Sequence, residues 1–226
     1  MKLSVIMPVY NEEATIQEIL KQVRAVGVVD EIIIVDDGST DASAKLLGQL
    51  RGRPGIIFHE SGVNGGKGAA IRIGIGYATG DVVIFQDADL ELSPEQYPEL
   101  LQPILDGRAD VVYGSRFLRK VRGQTFLGWF ANRFLSLLTT ILYGQRITDM
   151  ETCYKVCRTP ILRSLDLQST GFEIEPEITA KLLRKGVHIV EVPIDYRPRT
   201  TAEGKKIRWT DGLRAVESLL KYRFGK

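Results

Sequence analysis

The segment Asp81-Val82-Val83-Ile84-Phe85-Gln86-Asp87-Ala88-Asp89 joins an apolar run to two carboxylates that follow it at once. A run that is apolar on both faces is typical of a strand covered by helices on both sides, as in a parallel sheet. The same order occurs upstream, where the β-branched run Ile32–Val35 is followed by Asp36 and Asp37. Such segments predict a layered α/β fold in which polar side chains follow buried strands.

Apolar runs alternate with helical patterns from the first residues to about residue 116. The runs expected to form strands there are Leu3–Val9, Glu31–Val35, Gly55–His59, Asp81–Gln86 and Asp110–Tyr113. The later part of the chain predicts strands at Thr152–Val156 and His188–Ile194, and amphipathic helices from about Glu175 and Asp211. We therefore expect one domain over residues 1–226, with a three-layer α/β fold, a largely parallel central sheet and C-terminal amphipathic helices.

Polar side chains stand at the carboxyl end of each of the first five expected strands. They are Tyr10, Asn11 and Glu12; Asp36 and Asp37; Asn64 and Lys67; Asp87 and Asp89; and Ser115 and Arg116. In open α/β sheets, ligands bind beyond the carboxyl ends of the strands. The functional site is therefore expected along this edge of the sheet.

The charges are balanced overall but separated along the sequence. The 30 basic and 28 acidic residues leave a net charge of +2, which argues against a general nucleic-acid-binding protein. Eight acidic residues lie between Asp81 and Asp110, whereas five basic residues and no acidic one lie between Arg116 and Arg133. This separation indicates a metal site next to an anion site, although solvated helix faces would produce the same pattern.

Two carboxylates two residues apart at a strand end can address one divalent cation. Asp87 and Asp89 have this spacing, and Glu91 repeats it. Because Mg²⁺ and Mn²⁺ keep open positions that substrate phosphates fill, one or two carboxylates suffice. The alternative is an acidic turn before a helix. Carboxylates crowded at one rim need a counter-charge, and the candidates are Arg116, Arg133, Arg199, Lys205 and Lys206.

The glycine-rich segment Gly62–Ala69 does not match a P-loop. The spacing from Gly62 to Gly66-Lys67 is one residue too short, and no Ser or Thr follows the lysine. Lys67 is instead expected at a helix N-terminus, where it could contact an anion.

The segment Phe126–Tyr143 is too apolar for an ordinary surface helix and is interrupted by Asn132 and Arg133. No window of the chain offers the roughly 18 uninterrupted apolar residues of a membrane span. Either the segment packs on the sheet, or part of it meets lipid with neighbouring basic residues at the headgroup level. In both cases we expect a protein that is cytosolic or lies on a membrane surface.

Five motifs resemble the family 2 inverting glycosyltransferases, which have the Rossmann-like GT-A fold. They are Val5–Glu13 (VIMPVYNEE), Ile34–Asp41 (IVDDGSTD), Asn64–Ala69 (NGGKGA), Gln86–Leu90 (QDADL) and Val112–Arg116 (VYGSR). The last motif is similar to the branch that includes dolichyl-phosphate mannosyl- and glucosyltransferases. The resemblance implies a nucleotide-binding half, residues 1–116, and an acceptor- and lipid-facing half, residues 117–226.

The resemblance also implies roles for individual residues. Those implied to line the nucleotide-sugar pocket are Pro8, Tyr10, Glu12, Val35, Asp36, Asp37 and Lys67. Those implied to meet the nucleotide and a Mg²⁺ or Mn²⁺ cofactor are Asp87, Ala88 and Asp89. Glu91 is a further candidate metal ligand because of its spacing, although mannosyl members of the family usually have Gln at this position. Those implied to grip the diphosphate or the acceptor phosphate are Arg116, Arg133, Arg199 and Lys205. Asp89 and the three residues Arg116, Arg199 and Lys205 are the expected catalytic set.

The implied reaction displaces the nucleoside diphosphate of a GDP-mannose- or UDP-glucose-type donor by a dolichyl or undecaprenyl phosphate. A phosphate monoester is mostly dianionic at neutral pH, so this acceptor needs little deprotonation. A sugar-hydroxyl acceptor, as in polysaccharide or glycolipid synthesis, would need a general base, for which Asp149 and Glu151 are the candidates. A non-catalytic nucleotide-sugar-binding module is a further alternative.

The location implied by the resemblance is the cytosolic face of a membrane, where the chain would be a peripheral protein. A membrane-protein partner or a homo-oligomer is compatible with that location.

Overall fold

The computed structural model describes residues 1–119, 125–199 and 209–225. Within these ranges the strands are β1 (Leu3–Val9), β2 (Glu31–Asp36), β3 (Ile56–Glu60), β4 (Val82–Phe85), β5 (Val111–Ser115), β6 (Lys155–Arg158) and β7 (Ile189–Pro193). The α-helices are α1 (Ile16–Ala25), α2 (Ser43–Gly48), α3 (Lys67–Tyr77), α4 (Tyr97–Leu105), α5 (Phe126–Tyr143), α6 (Thr159–Arg163), α7 (Ile174–Arg184) and α8 (Trp209–Phe224). The strands form one sheet in the order β3-β2-β1-β4-β6-β5-β7.

The centre of the sheet is buried because its strands are apolar on both faces. All of β4 is buried, and so is β2 from Ile32 to Asp36. Strand β1 is parallel to both of its neighbours, with Ile6 opposite Ile33 on one side and Phe85 on the other. The predicted fold class is therefore confirmed, and the carboxyl ends of β1, β2 and β4 meet at one edge.

Strand β6 differs from the prediction in position, and it is the antiparallel strand of the sheet. It begins at Lys155 instead of Thr152, and it runs antiparallel between β4 and β5. The carbonyl oxygens of Met150 and Thr152 accept hydrogen bonds from the Lys155 ammonium group, at 3.0 and 2.5 Å. The chain before Lys155 therefore turns around this side chain and does not extend the strand.

Helix α5 packs mainly on α7 and α8 rather than on the sheet. Its buried residues are Leu135, Ser136 and Thr139, and the Tyr143 hydroxyl donates to the Leu219 carbonyl of α8 at 2.7 Å. Its exposed large apolar side chains are Phe126, Leu127, Trp129, Phe130, Phe134, Leu137 and Ile141. One stripe of the helix is thus covered by protein while an apolar stripe faces outward. Across the described ranges, every helix is too short or too polar to cross a bilayer.

Candidate active site

Asp37 holds the glycine loop that precedes α3. Its two carboxylate oxygens accept hydrogen bonds from the backbone N–H groups of Gly65 (2.8 Å) and Gly66 (2.7 Å). Gly66 has a φ of 94°, which side-chain-bearing residues rarely adopt, so glycine is required where the loop enters the helix. Burial raises the pKa of Asp37, although the two N–H groups act in the opposite direction. The neighbouring Asp36 is buried as well, and its Oδ2 accepts from the Ser39 N–H at 3.2 Å.

Lys67 lies at the N-terminus of α3, as predicted, but its ammonium group faces carboxylates. Nζ is 2.8 Å from Oδ2 of Asp87 and 3.0 Å from Oε1 of Glu175. Burial alone would lower the pKa of Lys67, but the charge of Asp87 raises it well above its usual value. The charge of Lys67 is therefore shared between two carboxylates, and its role as an anion contact stays a prediction.

Asp89 lies just beyond Asp87 and is surrounded by charge. Its Oδ2 is 3.2 Å from the Arg199 guanidinium, and its Oδ1 accepts from the Glu91 N–H at 3.1 Å. Burial, together with the charges of Asp87 and Glu91, raises the pKa of Asp89 to about 6. A divalent cation would relieve this repulsion, so Asp87 and Asp89 fit a Mg²⁺ or Mn²⁺ site completed by phosphate and water.

A metal cage made by the protein alone is not found among the residues that the structure describes. No three His, Cys, Asp or Glu side chains converge there in a way that could hold an ion.

Glu91 anchors the segment that carries Arg199. Its Oε1 accepts from the Arg199 N–H at 2.6 Å, and its Oε2 accepts from the Tyr196 hydroxyl at 3.0 Å. Each oxygen is thus engaged with this segment, and a metal-ligand role for Glu91 stays a prediction.

The Arg199 side chain is shared between Glu12 and Asp89. Its two terminal nitrogens donate to Oε2 and Oε1 of Glu12 at 3.0 and 2.8 Å. Glu12 is buried, so this fork–fork pair is shielded from solvent. The pairing joins the end of β1 to a segment 187 residues away and places a positive charge beside the carboxylate pair.

Asp149 fixes Arg116 at three points. Its Oδ2 accepts hydrogen bonds from the Arg116 backbone N–H at 2.9 Å and from Nε of the guanidinium at 2.7 Å. Its Oδ1 accepts a hydrogen bond from Nη2 of the same guanidinium at 2.7 Å. The guanidinium also lies over the Tyr196 ring, 5.0 Å from its centre. The Asp149 side chain is 0% exposed and both of its oxygens are paired with Arg116, and its role as a general base stays a prediction.

Glu151 is the other candidate base, and its surroundings differ. In the part of the chain that the structure describes, Oε1 of Glu151 is closed off from solvent without a hydrogen-bond partner. Burial raises the pKa of Glu151 to about 7, although the charge of Lys155 opposes this. Glu151 therefore has a raised pKa and an oxygen not used by another group, and its role as a general base stays a prediction.

Two arginines flank Phe117. The Arg133 guanidinium of α5 lies 5.6 Å from the centre of the Phe117 ring, and that of Arg116 lies 5.8 Å from it. Arg133 is exposed, whereas Arg116 is largely buried. Lys205, the remaining predicted phosphate-binding residue, lies outside the described residues.

The apolar and aromatic residues that the resemblance implies for the pocket differ in their exposure. Pro8 and Tyr10 are half-buried at the end of β1. Val35 is 0% exposed and Ala88 is 3% exposed. The Val35 side chain belongs to the hydrophobic core, and the expectation that Val35 lines the pocket stays a prediction.

Two buried charged residues, Lys155 and Glu175, and the half-buried Glu191 are absent from the sequence predictions. Lys155 and Glu175 form a buried ion pair, and the carboxylate of Glu191 accepts from the Thr148 and Asp149 N–H groups at 2.9 and 3.0 Å. Charged residues are rarely fully buried unless they are paired. The sequence did contain signals for two of them: Lys155 stands in an otherwise apolar run, and Glu175 lies on the apolar face of a helix.

The chain is similar to glycosyltransferases of known families and structures. The family model of glycosyl transferase family 2 matches residues 4–165. An undecaprenyl-phosphate mannosyltransferase of Micrococcus luteus is 31% identical over 91% of this chain and 87% of its own length. A dolichol-phosphate mannosyltransferase of Pyrococcus furiosus is 32% identical over 91% of this chain, which spans only 59% of that relative.

Solved structures show the same fold. Glucosyl-3-phosphoglycerate synthase from Mycobacterium tuberculosis, crystallised with Mn²⁺, UDP and phosphoglyceric acid, matches with a TM-score of 0.76 at 22% identity. The match covers 99% of this chain and 78% of that protein.

Proposed function

Since the chain belongs to glycosyl transferase family 2 and is a glycosyltransferase, we propose that it moves a hexose from a nucleotide sugar to a polyprenyl phosphate. The donor is of the GDP-mannose or UDP-glucose type, the acceptor is dolichyl or undecaprenyl phosphate, and the anomeric carbon is inverted. The observation that carries the proposal is the Asp87–Asp89 pair at the sheet edge, with Arg199 3.2 Å from Asp89. The names of the two mannosyltransferase relatives support the acceptor class.

The leaving nucleoside diphosphate develops negative charge that the site has to stabilise. Mg²⁺ or Mn²⁺ held by Asp87 and Asp89 supplies Lewis-acid neutralisation of that charge when it is bound. Arg199 provides a second positive charge, and Glu12 and Glu91 keep its side chain and backbone in place. A charge that is already oriented needs little reorganisation in the transition state.

The acceptor phosphate is held by Arg116 and Arg133, whose guanidinium groups both lie close to the Phe117 ring. Asp149 orients the Arg116 fork, and the exposed Arg133 is free to follow the incoming lipid headgroup. Because a phosphate dianion is already a nucleophile, alignment of the two reactants supplies most of the acceleration and no base is required.

The lipid tail of the acceptor requires contact with a membrane surface, and the exposed apolar residues of α5 are suited to it. Helix α8 adds Trp209, Leu213 and Phe224, which are exposed as well. Basic side chains near an apolar face favour anionic lipid headgroups. We place the protein at the cytosolic face of the membrane as a peripheral enzyme.

The double variant Phe126→Ser/Phe130→Ser should bind vesicles of phosphatidylcholine and phosphatidylglycerol about tenfold or more weakly, because it removes two aromatic anchors. Co-sedimentation with the vesicles measures this. Leu105→Ser is the matched control, since Leu105 is 57% exposed at the end of α4, a helix that packs on β5 and β7, whereas α5 packs mainly on α7 and α8. Equal sedimentation of the double variant and the wild-type chain would count against membrane contact through α5.

The proposed reaction is tested by incubating the chain with Mn²⁺, undecaprenyl or dolichyl phosphate, and a panel of UDP- and GDP-sugars. Mass spectrometry of the lipid fraction should reveal a hexosyl-phosphate lipid formed from one donor. Donor consumption only in the presence of a sugar-hydroxyl acceptor would overturn the lipid-phosphate assignment.

A sugar-hydroxyl acceptor is the second candidate, and the unpartnered oxygen of Glu151 is the observation that favours it. Glu151→Gln separates the two. With a lipid-phosphate acceptor, turnover should stay within about twofold of wild type, because no base is used. With a hydroxyl acceptor, turnover should fall by about 10²-fold or more.

Glu151→Gln should also stabilise the fold at alkaline pH. The pKa of Glu151 is raised from 4.5 to about 7, so the folded state prefers the protonated form. Folding stability from this group is complete below pH 4.5 and is lost as the pH rises through 7. Gln mimics the protonated form and should add about 3 kcal/mol to the free energy of unfolding at pH 8. Urea unfolding at pH 8 and pH 4.5 checks this, with no gain expected at the lower pH.

A further inference from the structure

Four buried or half-buried groups of alternating charge run from the core to the candidate metal site. They are Lys155 of β6, Glu175 of α7, Lys67 of α3 and Asp87 after β4. The last of them belongs to the proposed donor site, and the first two are used nowhere in the proposed reaction.

The inner end of this chain is fixed. Lys155 is 1% exposed, and its ammonium group donates to the carbonyl oxygens of Met150 and Thr152 and to Oε2 of Glu175. An ammonium group has three N–H donors, and all three are used here. Glu175 is therefore held on one side by a group that cannot move away.

The outer end connects Glu175 to the site. Its second oxygen, Oε1, lies 3.0 Å from Nζ of Lys67, and that same nitrogen lies 2.8 Å from Oδ2 of Asp87. Burial would raise the pKa of Glu175, but Lys155 and Lys67 lower it, so the carboxylate stays ionised. The positive charge of Lys67 is thus divided between two carboxylates.

Two consequences follow for Asp87. With Lys67 held from behind, the Asp87 carboxylate is fixed by its Oδ2 in one orientation. Because Glu175 takes part of the Lys67 charge, Asp87 also keeps more of its own negative charge for a cation. Groups behind a metal ligand act in this way, by orienting the ligand and tuning its charge.

We infer that Glu175 is a positioning residue, which holds Lys67 between itself and Asp87 and so sets the orientation and charge of the carboxylate that receives the divalent cation. The inference rests on the proposed function, because it takes Asp87 as a ligand of the ion that accompanies the donor diphosphate.

The test measures the Mn²⁺ affinity of the Glu175→Gln variant by electron paramagnetic resonance. GDP or UDP is present at saturating concentration, and no acceptor is added. The expected result is a 10- to 100-fold weaker affinity, of the order found for residues behind metal ligands. In turnover assays, the donor KM at low Mn²⁺ should rise more than kcat falls at saturating Mn²⁺.

Two further variants separate positioning from stability. Glu31→Gln removes a hydrogen-bonded carboxylate at the opposite edge of the sheet, where Glu31 accepts from Ser4 and Thr79, and it should leave Mn²⁺ affinity unchanged. Lys155→Met/Glu175→Gln removes both members of the buried pair, so the core keeps its charge balance. This double variant should fold and show the same loss of Mn²⁺ affinity as Glu175→Gln.

The outcomes are distinct for the inference and for the proposed function. Wild-type Mn²⁺ affinity in both Glu175 variants, with lowered thermal stability alone, would overturn the positioning role. If the wild-type chain itself binds no Mn²⁺ with GDP or UDP, the proposed function fails instead.

Discussion

Replacing Asp89 by Asn should lower turnover by about 10³-fold or more, because a ligand of the divalent cation is lost and several kcal/mol of charge stabilisation go with it. Initial rates of nucleoside-diphosphate release at saturating Mn²⁺ measure the effect. The donor should bind more weakly as well, since the cation links the protein to the diphosphate.

The fold should survive this substitution. Burial and the charges of Asp87 and Glu91 raise the pKa of Asp89 to about 6, so an ionised Asp89 disfavours folding above that pH and Asn removes the penalty. Urea unfolding at pH 8 should therefore show no loss of stability. Asp110→Asn is the matched control, because Asp110 is exposed and paired with Arg158 at 2.7 Å, away from the site, and its turnover should equal that of wild type. Near-normal turnover of Asp89→Asn would remove Asp89 from the site.

Replacing Asp149 by Asn should destabilise the protein by about 3 kcal/mol, because it leaves the buried Arg116 guanidinium without its counter-charge, and lower the melting temperature by roughly 6–12 °C. Differential scanning calorimetry measures the shift. Asp195→Asn is the control: Asp195 pairs with Arg119 at 2.9 Å but its side chain is 76% exposed, and exposed pairs contribute little.

Turnover of Asp149→Asn should fall together with stability, even below the melting temperature, because the Arg116 fork loses its orientation. This result would come from a positioning effect and would say nothing about a base. Only Glu151→Gln therefore tests whether the reaction uses a general base. Among the described residues, Oε1 of Glu151 has no hydrogen-bond partner, so this substitution breaks no hydrogen bond between that oxygen and Arg116. Normal thermal stability of Asp149→Asn would show that the buried pair contributes little.

The sheet edge could be predicted because it follows from local pattern. Apolar runs such as Val82–Phe85 identify buried strands, and the carboxyl ends of parallel strands share an edge, so Asp37 and Asp87 were expected near each other. The direction of β6 could not be predicted, because a short apolar run does not indicate whether its strand pairs parallel or antiparallel, and β6 pairs antiparallel with both β4 and β5.

The pairing within the site could not be predicted either. Glu12 and Arg199 are 187 residues apart in the sequence. Neither the motif around Glu12 nor the charge pattern indicates which basic residue Glu12 pairs with. Lys67 has the sequence context of an anion contact, yet it pairs with the carboxylates of Asp87 and Glu175, which belong to distant elements. Such pairings depend on tertiary packing, so local sequence patterns do not predict them.

The measurement that tests the account most directly is calorimetric titration of the wild-type chain with GDP-mannose and with UDP-glucose, in Mn²⁺ and in chelator. We predict that one donor binds about tenfold or more tightly in Mn²⁺, as expected if Asp87 and Asp89 share a cation with the diphosphate. Equal affinity of both donors with and without the metal would contradict the account.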